Sequence, residues 1–147
     1  MNNRILVAVD DSRESLEAAQ TAARLAIDLK AEVRIIMVVE DDHVGEEVER
    51  VTGTDSRERR RLAATNLLEF VRQKVCAEGV PSSQVAVKQA TGNPYRQILE
   101  EARAWPADMI VMAVADRSAV RSNYIGSVTE QVIEFAGCPV LVVPASS

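Results

Sequence analysis

The chain has 147 residues, carries a formal net charge of −5 and is 47% hydrophobic but only 3% aromatic. A length of this order suits one domain, here 1–147, that buries about two-thirds of the surface its unfolded chain exposes. The acidic balance excludes nucleic-acid phosphates and anionic membranes as natural partners, and no apolar run is long enough to span a bilayer.

An aliphatic core with few aromatic residues is the composition of a parallel sheet covered on both faces. Two cysteines, Cys76 and Cys138, and one histidine, His43, provide neither a disulfide framework nor a zinc ligand set, so no metal is expected. Acidic residues follow the first apolar run where a secretory leader would continue, and the expected location is the cytoplasm.

Residues 4–10 (RILVAVD) form a short β-branched run that stops at two carboxylates, as a buried strand would. Ser12 is placed to cap a helix whose stripe of Leu16, Ala19, Ala23, Ala26 and Ile27 runs to about Leu29. Residues 32–40 (EVRIIMVVE) are a second buried strand. Residues 41–54 are acidic and aperiodic, and are expected to be a mobile surface loop or one ordered by a partner. Asp55 or Ser56 can cap the next helix, with Ala64, Leu67, Leu68, Val71 and Val75 inward and Gly79 and Pro81 as terminators. Around its first turns Arg57, Arg59, Arg60 and Arg61 are set among Asp55 and Glu58, which reads as a solvated helix start, with a nucleic-acid or partner patch as the alternative.

Residues 84–90 alternate as a third strand. Asn93-Pro94 supplies a cap and a first-turn proline for a helix carrying Ile98, Leu99 and Ala102. Residues 108–115 (DMIVMAVA) are the most hydrophobic strand and are expected at the centre of the sheet. A loop then leads to Gly126 and to Ser127–Glu130, which reads as a capping box. The last helix is expected to bury Val128, Val132, Phe135 and Ala136 and to close at Gly137. Residues 138–143 are the final strand, at a sheet edge that tolerates Pro139 near its start.

Regular alternation of strand and helix implies an α/β fold: a doubly wound, five-stranded parallel sheet with helices on both faces and right-handed crossovers. Ligands of such sheets bind beyond the carboxyl ends of the strands, where strand order reverses. Asp10, at the end of the first strand, is either a turn and capping residue or a carboxylate for a ligand. Gly126-Ser127 delivers a helix N-terminus, whose free N–H groups and dipole suit an anion, although an ordinary cap explains the pair equally well.

Three segments together resemble the universal stress protein family over essentially the whole chain. RILVAVDDSRESLEAAQTAARLA is similar to its opening strand and helix, TGNPYRQILEEA with ADMIVMA to its third helix and fourth strand, and IGSVTEQVIEFAGCPVLVVP to its closing helix and strand. The resemblance implies a Rossmann-like fold of the adenine nucleotide α hydrolase type. It implies that Asp10, with Val9, meets an adenine and that Val38 helps to enclose it. Its ATP-binding members carry Gly, two residues, Gly, nine residues, then Gly-Ser or Gly-Thr. Aligned on Gly126-Ser127 and followed by Val128, the two earlier glycines fall on Ala113 and Asp116. A carboxylate about 5 Å from a phosphate charge costs roughly 3 kcal/mol at an effective dielectric near 20. Weak or absent ATP binding is therefore the expectation, with ATP or another adenine nucleotide as the candidate ligand. Family members often dimerise through the last strand, here Val140, Leu141, Val142 and Val143.

Two competing readings fit less well. A two-component receiver domain needs an aspartate where Ala113 stands and a lysine near the end of the last strand, which CPVLVVP lacks. A hydrolase needs a nucleophile with a base, and His43 lies in the acidic loop. The expectation is a non-catalytic regulator that acts either through its surface alone or as a nucleotide-responsive module.

Overall fold

The computed structural model describes residues 3–40, 56–114 and 126–144. Five parallel strands, β1 (Asn3–Ala8), β2 (Ala31–Val39), β3 (Val85–Thr91), β4 (Met109–Ala113) and β5 (Val140–Val143), form one sheet in the order β3-β2-β1-β4-β5. Helices α1 (Arg13–Leu29), α2 (Ser56–Ala77), α3 (Pro94–Ala104) and α4 (Ser127–Phe135) connect or follow them, and a 3-10 turn at Ser82–Gln84 precedes β3. The predicted loop 41–54, with His43, lies outside the described residues.

Strand side chains alternate between two cores. Ile5, Val7, Val33, Ile35 and Val111 face α1 and α2, whereas Leu6, Ile36, Ile110 and Met112 face α3 and α4. The doubly wound sheet is therefore as the alternation of elements predicts. The centre of the sheet is not: β1 holds it, and β4 lies one place out, between β1 and β5. Both strands are paired on both sides and covered on both faces, so hydrophobicity alone does not tell them apart.

Local chemistry fixes the helices. The Ser12 side chain accepts the Ser15 amide at the start of α1, and Lys30 ends the helix in the left-handed region (φ 53°), its N–H reaching the carbonyls of Ala26 and Ile27. Asn93 caps α3 by accepting the Arg96 amide, with Pro94 at the first helical position. α2 carries Ala64, Leu68, Val71 and Val75 inward, with Leu67 half-buried, as its spacing predicts.

The start of α4 departs from expectation. Gly126, at φ 95°, is the N-cap, and Ser127 is already the first helical residue, so the predicted Ser127–Glu130 capping box does not form. The chain enters α4 through a positive φ that glycine adopts without strain, which moves the cap back by one residue. At the other end, Ala136 caps the helix through Val132, before Gly137 is reached. Phe135 is exposed rather than buried; it stacks on Tyr95 of α3, with ring centroids 6.1 Å apart.

No helix among the described residues is long and apolar enough to cross a membrane. α1 lies close on the sheet because Ala18, Ala19, Ala22, Ala23 and Ala26 form its buried stripe. A larger side chain has no space there. Ala22→Leu is expected to lower stability by about 1–3 kcal/mol in urea unfolding followed by circular dichroism, and an unchanged midpoint would contradict this packing.

Candidate functional site

β1 and β4 pair only through Ile5↔Met109, Leu6↔Ile110 and Val7↔Val111. Beyond that rung the two strands turn to their outer neighbours. Val9 N–H donates to the Ile36 carbonyl on β2 (2.9 Å), and Val114 N–H donates to the Val143 carbonyl on β5 (3.0 Å). The parting opens a cleft of about 1400 Å³ at the carboxyl ends of the strands. It lies where strand order reverses, the place such sheets use for ligands.

Val9, Asp10, Val38, Ala113, Gly126, Ser127 and Val128 all line this cleft. Asp116 lies outside the described residues. Asp10 makes the turn contact and also borders the cleft. Its Oδ1 accepts the Ser12 amide (2.8 Å), closing a turn, while the residue stays exposed at the cleft wall. Its backbone is held by Ser15, whose Oγ accepts the Asp10 amide (3.1 Å) and lies 2.9 Å from the Asp10 carbonyl. Val38 turns to the α3–α4 side with Ala8, Ala90 and Ile98.

Ala113 has no positive φ, since among the described residues only Lys30 does so without being glycine. Its methyl packs on the α1–α2 side. Alanine is thus unstrained here, and its cost to a ligand is steric alone. Val128 is half-buried behind Ser127, and the first amides of α4 have no intrahelical acceptor, as in any helix start. Gly92, at φ 133°, donates to the Val39 carbonyl (3.0 Å) and brings the α3 start to the same cleft; a Cβ there would come within 3.2 Å of Gln97 Nε2.

Sequence reasoning missed several contributors, Gly92 among them. Arg60 lines the cleft from α2, although its setting in a basic run reads as solvated. Asn93 and Pro94 were legible as a cap but not as cleft wall. Thr129, 5% exposed, directs Oγ1 to the Ala113 carbonyl at 3.3 Å, and a threonine in a first turn gives no signal of that.

The remaining candidate chemistry lies elsewhere. Among the described residues no group of three or more His, Cys, Asp or Glu side chains could hold a metal. Cys138 is half-buried at the opposite end of the sheet; burial, and secondarily the Asp108 carboxylate, push its thiol up, which makes it a poor nucleophile. Cys76 is half-buried on α2, with the Arg72 guanidinium 4.0 Å from its sulfur.

The universal stress protein family model matches residues 1–144. A universal stress protein of Methanocaldococcus jannaschii is 34% identical over 141 residues, covering 95% of this chain and 81% of its own. Among solved structures, a universal stress protein in complex with cAMP superposes with a TM-score of 0.76 at 20% identity, covering 99% of this chain and 98% of its own. A universal stress protein from Archaeoglobus fulgidus in complex with dAMP superposes with a TM-score of 0.68 at 20% identity, covering 95% and 96%. By its sequence from end to end, and with the fold to match, this chain belongs to the universal stress protein family.

Proposed function

We propose that the protein is a non-catalytic stress-response regulator that works in the cytoplasm as a homodimer and binds ATP weakly. Its cleft prefers an adenine nucleotide with a single phosphate. The observation that carries this reading is the convergence of Asp10, Val38, Gly126 and Ser127 on one cleft where β1 and β4 part. Asp10 and Val38 suit a purine edge and face, and the open start of α4 suits one phosphate. Two neighbours of the same fold hold cAMP and dAMP, both adenine monophosphates.

The charge on the cleft wall argues against a triphosphate. Asp10, Asp11 and Glu40 line it against the single guanidinium of Arg60 among the described residues. By the family alignment Asp116 takes a glycine position of the ATP motif, a carboxylate that Arg117 and Arg121 in the same segment would offset in part, while Ala113 contributes less because its methyl turns to the α1–α2 side.

A second reading, a switch that reports adenine nucleotide to the dimer, is favoured by one contact. The cleft residue Val114 donates to Val143, the last residue of β5, so the site and the outer edge of the sheet share a hydrogen bond. Among the described residues β5 is the last strand of the sheet, with no strand on its outer side. With Pro139 and Val143 bonded to β4, the period of two turns the Val140 and Val142 amides outward, where a second copy can pair.

Calorimetry is expected to give an ATP dissociation constant no tighter than about 100 μM, with AMP bound about tenfold more tightly. Asp116→Gly should tighten ATP by about tenfold, whereas Ala113→Gly alone should change it by no more than about threefold. Tight ATP binding by the unaltered protein, or no gain in Asp116→Gly, would overturn the charge argument. For the dimer, light scattering should show a dimer at micromolar concentration, converted to monomer by Val142→Pro. That change removes an outward amide without touching the β4 ladder or the inward-packed Leu141. A monomeric parent protein, or a dimer that survives Val142→Pro, would count against pairing through β5.

A further inference from the structure

Among the described residues only two polar side chains are buried, Ser15 at 3% exposure and Thr129 at 5%. Both stand in the first turn of a helix, α1 and α4 respectively. Each directs its hydroxyl to the main chain at the end of the strand before that helix. Ser15 Oγ takes the Asp10 N–H at 3.1 Å and lies 2.9 Å from the Asp10 carbonyl, just past β1. Thr129 Oγ1 donates to the carbonyl of Ala113, the last residue of β4.

β1 and β4 are the two strands that part at the cleft, and their mutual register stops at Val7↔Val111. Above that rung each strand end faces the gap with main-chain groups that a continuous ladder would have paired. These groups are part-buried, and main-chain groups withdrawn from water need partners. The two hydroxyls supply them from the side, on opposite walls of the same opening. The buried residues that follow Ser15 on α1, Ala18, Ala19, Ala22 and Ala23, are alanines at 0% exposure, and Val132 follows Thr129 on α4, so burial alone calls for no hydroxyl at either place.

We infer that Ser15 and Thr129 are paired positioning residues, which replace the missing β1–β4 bonds and so hold the α1 and α4 starts apart at the width a ligand needs. Thr129 sets the carbonyl of Ala113 against the first turn of α4, and thereby fixes Gly126 and Ser127 as an anion-binding turn. Ser15 fixes Asp10 on the facing wall. The ligand side of this assignment rests on the adenine monophosphate reading; the geometric side does not.

The test compares Thr129→Val, which keeps the branched shape and removes the hydroxyl, with Thr129→Ser, which keeps the hydroxyl. Thr129→Val should accelerate amide hydrogen exchange at residues 127–130 by about fivefold or more, with Val71 and Val75 unchanged. It should weaken AMP binding by about fivefold in calorimetry, and Thr129→Ser should restore both. Ser15→Ala should act in the same way on the amides of residues 10–12. Exchange unchanged in Thr129→Val would overturn the assignment, as would faster exchange with AMP affinity intact. If the unaltered protein binds no AMP, the nucleotide reading fails on its own, and local exchange with serine rescue still decides whether the hydroxyls hold the opening.

Discussion

The structure turns on a main-chain constraint: two adjacent parallel strands stop bonding to each other before they end. β1 and β4 share three registered pairs and then commit their last amides outward, to β2 and to β5. A doubly wound order forces this, because the chain leaves β1 toward one side of the sheet and returns to β4 on the other. Every helix that follows a strand therefore begins at the same end of the sheet. Ser12, Asn93 and Gly126, three helix caps, meet at one cleft as a consequence of topology rather than of any local motif.

That origin separates what the fold needs from what a ligand needs. The core is built from alternating Ile, Val and Leu on the strands and an alanine stripe on α1, and it lies below the cleft. None of it depends on glycine at position 113, where the backbone is ordinary strand and a methyl packs without strain. The family's glycine pattern can thus lose members while the sheet, the helix caps and the opening remain. Erosion of a binding motif and retention of its scaffold are compatible because different residues carry them.

The sequence made the fold legible because strand and helix differ in hydrophobic period and because Ser12, Asn93-Pro94 and Gly79 are strong punctuation. Strand order was legible only as a class. β4 reads as central by hydrophobicity, yet a next-to-edge strand covered on both faces looks the same. The α4 start was misread by one residue, since Ser-x-x-Glu matches a capping box in letters while the positive φ at Gly126 decides the geometry. In the site, Asp10, Val38, Gly126 and Ser127 were found from strand ends and family resemblance. Arg60 and Thr129 were not, because a basic run and a first-turn threonine have commonplace uses that only tertiary proximity overrides.

The same proximity changes how Asp10 should be understood. A carboxylate at a strand end is usually assigned either to the turn or to a ligand, and here Oδ1 serves the turn while the residue still borders the cleft. Ordering a flexible carboxylate costs side-chain entropy whenever it binds something. A carboxylate already fixed by the Ser12 amide, on a backbone already fixed by Ser15, has met that cost at folding. The capping network is thus also preorganisation, and this wall of the cleft is fixed for reasons that belong to the helix start. The opposite wall has the equivalent arrangement in Thr129 and Ala113. A cleft so built has both of its facing strand ends fixed at folding, with Asp10, Asp11, Glu40 and Arg60 as its charged lining among the described residues.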